Sequence, residues 1–565
     1  MEESRVENVL DAVGAVLERH ELVDDARVSV PHHPGRRDLS LFGLSQAPPE
    51  LAASALREIA ALDAIGNVSA EKRGRVGIRL SDLCVGELGE MLESGNDAPV
   101  WTGNLASGKQ VVADFCDPNA TKALHVGHLR NIALGNSIAA ILRACGATVI
   151  TQSQVGDVGR SVGEAMAGYE QYGGGESPFE RRQKSDHFVG SCYSSYVRAA
   201  ADAGVSAEGL ASDPALSRED EECDDLATRL IERWHRGDPE AVALWRKIRD
   251  WAVEGHEETL ARLHVILDRL FFESDFLADI EAVGDRLVET GVAEVTASGA
   301  VLFPTGDPSY PQLVLRRPDG HSTQYLRYIG LWDATRSMLS PGDSIQVMGD
   351  EWLSLAQSND MLLGRLAGGG DIHPSNCLVH GMVAVDDQVV KSSLAAPWLA
   401  DELLDEIAAH PEIDRVSAGD AGLAERLSAT TALGMFIADP PGKSLSISRE
   451  GFFDLAANPC WAMISATLRA WDDQYDGMPD PSASDRDYRF LIAQSQVHRQ
   501  LVRRSVEELN PVHVARFHGH LCQWFLRTPC TPRLARAMRT VTSSGISSLG
   551  LPAPLHGVPA FSQPA

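Results

Sequence analysis

The sequence predicts an α/β fold: a parallel-sheet domain that carries the chemistry, an α+β domain before it and an all-α domain after it. Three observations lead there. The first is a strand–helix–strand order. Residues 111–115, Val-Val-Ala-Asp-Phe, read as a strand, and Leu129, Ile132, Ala133, Ile138, Ile141, Leu142 and Cys145 then recur at helical spacing. Gly146 ends that helix, and the β-branched residues 148–151 read as the next strand. Such an order is a right-handed crossover of a parallel sheet. The second is that the pattern beyond about residue 400 is helical to the end, interrupted by a polar linker at 472–486. The third is length: 565 residues exceed one core and suit three or four domains.

The elements follow in order. Residues 1–105 read as the α+β domain, opened by an amphipathic helix with Val6, Leu10, Val13, Val16 and Leu17 on one face. Residues 106–400 read as the sheet domain. A helical insertion occupies about 165–270, with a Gly-rich break at 169–175, an acidic run at 218–225 and a long helical stretch at 244–270. The acidic run reads as a solvated face. Strands return at 344–347 and 382–385. Residues 401–565 form the helical domain, and no internal repeat is seen.

Bulk properties narrow the class. A hydrophobic share of 44% with 23% charged residues is that of an ordinary globular chain. No apolar run is long enough to span a membrane, and the opening Met-Glu-Glu-Ser-Arg-Val lacks signal-peptide order. The nine cysteines include no Cys-x-x-Cys pair, so reduced thiols in a cytoplasm are expected, with no protein-held metal. A monomer is also expected. The net charge of −29 repels phosphate at long range. A local basic stretch remains, with Arg499, Arg503, Arg504, Arg516, Arg527, Arg533, Arg536 and Arg539. It reads equally as an RNA-facing surface or as a solvated helix face.

The residues that carry chemistry are His125-Val126-Gly127-His128, between a strand and the start of a helix. A helix N-terminus offers N–H groups and partial positive charge to a phosphate. Gly127 lets a nucleotide approach the backbone, and the two imidazoles can donate to phosphate oxygens. The carboxyl end of a strand in an open parallel sheet is the usual ligand crevice.

The surroundings of this tetrapeptide resemble the arginyl-tRNA synthetase family, of class I. Residues 114–130, Asp-Phe-Cys-Asp-Pro-Asn-Ala-Thr-Lys-Ala-Leu-His-Val-Gly-His-Leu-Arg, are similar to its signature. So are Gln154-Val155-Gly156-Asp157-Val158-Gly159, Phe272-Glu273-Ser274, residues 344–349, and His380-Gly381-Met382-Val383. Residues 511–516 and 545–551 resemble the family's helical anticodon-binding domain, and the first hundred residues resemble a divergent tRNA-contacting domain. The resemblance implies a Rossmann-like catalytic domain and a two-step ligase. An amino-acid carboxylate attacks the α-phosphorus of ATP, with Mg²⁺ assisting, and the aminoacyl group then passes to tRNA. It implies that His125, His128 and Lys391 act in catalysis, and that Gly127, Gly156, Asp157, Gly159 and Ser392 join them around ATP. It also implies that Asp114, Asn119, Gln324, Tyr328 and Trp352 surround the amino acid.

The chain departs from the family at three places. In the second signature loop Lys391, Ser392 and Ser393 match, but the leading lysine is replaced by Val389 or Val390. In the family's Tyr-x-x-x-Asp pair, Tyr328 stands at the aspartate and Gln324, or Tyr325 after a deletion, at the tyrosine. A guanidinium favours a bidentate carboxylate, which tyrosine does not supply. Trp352 stands where the family has a glutamine, and is expected to fill pocket volume. Asn458-Pro459-Cys460-Trp461 also replaces a Gly-Pro-Tyr segment. Three readings follow: an arginine–tRNA ligase, a synthetase paralogue for another amino acid or a specialised pathway, and a catalytically silent tRNA-binding protein.

Overall fold

The computed structural model describes residues 8–23, 26–71, 74–94, 104–202, 225–307, 310–318, 320–339, 342–366, 376–386, 388–389, 398–449, 453–455, 458–475 and 485–554. They gather into two compact units. One draws on 1–108, 140–147 and 454–565, the other on 109–139 and 148–453. This differs from a linear cut into three. The first hundred residues join the C-terminal helices, and residues 401–453 stay with the sheet.

The first unit begins with α1 (Val9–Arg19), β1 (Arg27–Ser29), β2 (Leu39–Phe42), α2 (Pro49–Ala60), β3 (Ile65–Ala70), β4 (Val76–Leu80) and α3 (Asp82–Glu93). Asn8 starts α1: its side chain accepts from the N–H groups of Leu10 at 2.9 Å and Asp11 at 3.2 Å. Val9, Leu10, Val13, Val16 and Leu17 then fall on its buried face. Val6 lies outside the described residues. The strands form an antiparallel sheet in the order β1-β2-β4-β3.

The second unit is built on five parallel strands, in the spatial order β12 (Asn376–His380), β11 (Asp343–Gly349), β5 (Gln110–Asp114), β6 (Thr148–Val155) and β7 (Arg269–Phe272). The chain runs β5 (Gln110–Asp114), α4 (Val126–Ala144) and β6 (Thr148–Val155). Then come the insertion helices α5 (Arg160–Tyr172), α6 (Pro178–Arg181), α7 (Ser185–Asp202), α8 (Leu226–His235) and α9 (Pro239–Arg262). The expected helix to residue 270 ends at Arg262, because Arg269–Phe272 pairs with β6 as β7. The acidic run at 218–224 lies outside the described residues. Asp225, which ends it, caps α8 through the Thr228 N–H at 2.9 Å and accepts from Arg160 at 2.6 Å.

Beyond β7 follow α10 (Leu277–Glu289), β8 (Glu294–Val295), β9 (Val301–Asp307), β10 (Tyr310–Arg316), α11 (Gln324–Leu339) and β11 (Asp343–Gly349). Next are α12 (Leu353–Leu366), β12 (Asn376–His380), β13 (Val383–Val385), β14 (Gln388–Val389), α13 (Ala400–Ala408), α14 (Pro411–Ser417), α15 (Ala421–Phe436) and β15 (Leu445–Ile447). β15 pairs in parallel with β13, which ties this stretch to the sheet unit. The first crossover leads from β5 to β6 on one side, while β11 and β12 lie on the other. The order therefore reverses at β5 and β11, and a crevice opens at such a point.

The chain closes with α16 (Pro459–Ala470), α17 (Asp485–Glu507), α18 (Val512–Arg527) and α19 (Pro532–Ser548), which complete the first unit. Arg489 on α17 donates to Asp38 Oδ2 at 2.9 Å, Asp82 Oδ1 at 2.7 Å and the Leu80 carbonyl at 2.5 Å. Asp38 and Arg489 are both buried. Removing one partner of a buried pair leaves the other charge stranded, so Arg489→Leu is expected to destabilise this unit by about 3–5 kcal/mol. Urea unfolding followed at the α+β end checks it, and an unchanged midpoint refutes it. The basic stretch is partly consumed by the same packing. Arg533 and Arg536 turn to Glu93, Arg539 to the Ala470 carbonyl and Arg504 to Glu508. Arg503, Arg516 and Arg527 are exposed.

Candidate active site

The site starts where β5 ends. Cys116 and Asp117 hold φ of 84° and 40°, in the left-handed region that non-glycine residues seldom enter. Local bonds hold them there. The Cys116 N–H donates to Asn131 Oδ1 at 2.7 Å, and the Asp117 N–H donates to Ser153 Oγ at 3.0 Å. The Gln154 N–H donates to Asp117 Oδ1 at 2.8 Å. Asn131, on α4, also donates to the Val347 carbonyl at 2.7 Å. Successive residues of a strand face opposite sides. Phe115 lies against α4, where a Cβ on Gly135 would stand 2.3 Å from its ring. Asp114 lies on the other side, with α11.

On the α4 side the two histidines adopt a defined arrangement. His125 Nδ1 accepts from the Gly127 N–H at 3.1 Å, and His128 Nδ1 accepts from the His125 N–H at 3.1 Å. An imidazole nitrogen that accepts carries no proton, so each neutral ring bears its hydrogen on Nε2. The rings lie 3.9 Å apart by centroid. Burial, then the nearby Lys122 charge, lowers the His125 pKa to about 3. Burial, then His125, Lys122 and His256, holds His128 well below the ordinary histidine range. Both rings are therefore neutral donors at neutral pH. His125 Nε2 is buried and has no hydrogen-bond partner among the described residues. His256 Nε2 donates to the Lys122 carbonyl at 2.7 Å and steadies the loop ahead of the pair. Behind it, Arg130 is fully buried and donates to the carbonyls of Gly381 at 3.2 Å, Pro441 at 2.8 Å and Lys443 at 2.5 Å.

On the α11 side, strand register places Gln346, Asp114 and Gln152 side by side across the sheet. Asp114 is buried and its Oδ2 accepts from Gln154 Nε2 at 2.8 Å. Burial, then the Asp117 carboxylate, pushes the Asp114 carboxyl well above its usual range, and Gln152 and Gln154 act against that. Tyr328 projects from α11 and donates to Gln346 Oε1 at 3.0 Å. Burial, then Asp114 and Asp117, pushes its phenol well up. Tyr328 thus stands in the electrostatic reach of Asp114, as a neutral group. Gln324 opens α11 one turn earlier and is half-buried.

The glycines and Asp157 shape the loop after β6. Gly156 bridges Asn119, and a Cβ there would stand 2.3 Å from Asn119 Oδ1. Gly156→Ala is expected to displace Asn119 and to destabilise the sheet unit by about 1–3 kcal/mol. Chemical unfolding checks it, and an unchanged midpoint refutes it. Gly159 starts α5 at φ 105°, a conformation that suits glycine alone. Asp157 is fully buried, with Oδ1 accepting from the Ser274 N–H at 2.9 Å and Oδ2 from Ser274 Oγ at 2.6 Å. Both carboxylate oxygens are thus engaged by Ser274, which fixes the loop.

Three other expectations concern the signature loop, Trp352 and metal ligands. Lys391 and Ser392 lie outside the described residues. The chain resumes at Trp398, whose carbonyl accepts from the Val126 N–H at 3.0 Å. Trp352, in the turn after β11, is 37% exposed and does not fill an enclosed space. One cluster of metal-type ligands occurs among the described residues, Asp186, His187 and Asp401. Lys184 Nζ already sits between its carboxylates, 3.2 Å from Asp186 Oδ2 and 3.0 Å from Asp401 Oδ2. That ammonium supplies the positive charge, so the cluster does not suit Mg²⁺.

Residues 94–331 match the family model of class I (R) tRNA synthetase catalytic domains. The chain carries a class I tRNA synthetase catalytic domain. An arginine–tRNA ligase of Borrelia hermsii is 26% identical over 314 residues, 54% of this chain and 50% of that one. One from Treponema denticola is 32% identical over 248 residues, covering 43% and 39%. The matched stretch thus spans half or less of these relatives' length. The structure of Thermus thermophilus arginyl-tRNA synthetase covers 96% of the chain and 98% of its own at a TM-score of 0.66 and 18% identity. That of Plasmodium falciparum covers 97% and 99% at 0.67 and 13%. At such identities the likeness speaks for the fold. The synthetase domain thus places its histidine pair and its Asp114–Tyr328 pair on opposite faces of one strand end.

Proposed function

We propose that the chain is an arginine–tRNA ligase. The observation that carries this is the histidine pair, with both Nδ1 atoms held by backbone N–H groups and both Nε2–H edges left to donate at the start of α4. Such donors, fixed before the substrate arrives, stabilise charge that develops on a phosphate. In the proposed first step the amino-acid carboxylate oxygen bonds to the α-phosphorus of ATP and the bond to pyrophosphate breaks. In the second, a terminal ribose hydroxyl of tRNA displaces AMP. Neither step needs an enzyme nucleophile, so catalysis rests on positioning and charge. Mg²⁺ comes with the triphosphate, whose charge it offsets. tRNA, ATP and the amino acid are the partners of a cytoplasmic monomer. No described helix is long and apolar enough to cross a membrane. The exposed Arg503, Arg516 and Arg527 are the basic surface for tRNA.

A second reading, a synthetase for another amino acid, is favoured by one observation. Tyr328 is committed to Gln346, which leaves the pocket face with fewer carboxylates than a guanidinium prefers. tRNA-dependent ATP–pyrophosphate exchange with each standard amino acid separates the two. Exchange with arginine alone is expected; exchange with a different amino acid alone supports the second reading, and exchange with none removes both.

A further inference from the structure

We infer that Gln152 is a specificity residue of the amino-acid pocket, acting beside Asp114 as the second acceptor for an N–H-bearing cationic side chain. The inference rests on the ligase reading and deepens it. Asp114 Oδ1 and Gln152 Oε1 are both buried acceptors with no hydrogen-bond partner among the described residues. Asp114 is 2% exposed and Gln152 1%. The two residues are directly paired in register on adjacent parallel strands, so their side chains leave the sheet on the same face.

A buried acceptor without a donor costs about 1–3 kcal/mol, and native proteins keep few of them. Two side by side are matched by one kind of group: a head with N–H bonds along one edge. Two neighbouring donors are already engaged. Gln154 Nε2 is used on Asp114 Oδ2, and the Tyr328 hydroxyl on Gln346. The pocket therefore sets one carboxylate and one amide oxygen against the cation, so charge matching falls on Asp114 alone and shape matching on Gln152.

The test compares wild type, Gln152→Leu and Gln152→Glu in tRNA-dependent exchange with arginine and with citrulline, its neutral isostere. Thermal shifts by the two amino acids are measured in parallel. Gln152→Leu is expected to raise KM for arginine by about tenfold, with kcat changed far less. The isosteric Gln152→Glu keeps the side-chain volume and adds charge, so it is expected to widen the preference for arginine over citrulline by about tenfold. An arginine KM within about twofold of wild type in the leucine variant, or an unwidened preference in the glutamate variant, overturns the inference. Wild-type exchange only with amino acids lacking a side-chain N–H overturns it too, while leaving a ligase in place. Absence of exchange with every amino acid removes the ligase reading, and the thermal shifts then decide. An arginine-specific shift lost in the leucine variant supports the acceptor pair; no shift, or an unaltered one, sinks it.

Discussion

His128→Ala is expected to lower ATP–pyrophosphate exchange by about a hundred- to a thousandfold, the loss seen when one preorganised donor is removed from a site of developing charge. Two effects combine. The Nε2–H edge disappears, and the His125 N–H loses the acceptor it uses at 3.1 Å. The ring of His125 lies against His128 at 3.9 Å and would lose its neighbour as well. The neutral state matters to the sign. Because burial keeps both rings well below the ordinary histidine range, neither gains a second proton near neutrality, and the loss should be the same across neutral pH. Exchange at wild-type rates in this variant would remove ATP from the site.

Arg130→Met has the largest expected effect on stability of the sheet unit, about 3–5 kcal/mol. Methionine fills much of the volume but offers no donor. The carbonyls of Gly381, Pro441 and Lys443 then lose the guanidinium that reaches them. Burial lowers the Arg130 pKa only to about 10, so the charge persists at neutral pH. Lysine supplies a single point of charge in place of a planar fork, so Arg130→Lys is expected to fall between. Chemical unfolding of the three proteins checks the order. A methionine variant as stable as wild type would show that water satisfies these carbonyls.

The sheet was legible because β5, α4 and β6 each carry a period that matches their environment. The histidine pair was legible for the same reason, since it falls at a strand-to-helix junction. Gln152 and Gln154 were overlooked, although a signal existed. β6 is buried along most of its length, yet it reads Thr151-Gln152-Ser153-Gln154 in place of the apolar run expected of a central parallel strand. Polar residues there need a reason, and Asp114 is that reason. The anchoring role of Arg130 is not visible in its local sequence, because its acceptors lie some 250–310 positions later in the chain. The engagement of Asp157 was equally hidden, since Ser274 reaches it from β7's end, 117 positions away. The end of the insertion was misjudged because residues 263–272 keep an apolar pattern that serves helix and buried strand alike.

The first unit is sewn from both ends of the chain, and this has a consequence for its birth on the ribosome. Arg489 and Asp38 are 451 positions apart. At about 5–20 residues per second, Asp38 waits roughly 20–90 s for its cation. During that interval the α+β segment has strands β1 to β4 but not the helices that cover it. The sheet unit, whose strands are complete by residue 447, can close first. Assembly then runs from the middle of the chain outward, with the last helices acting as the clasp that fastens its beginning.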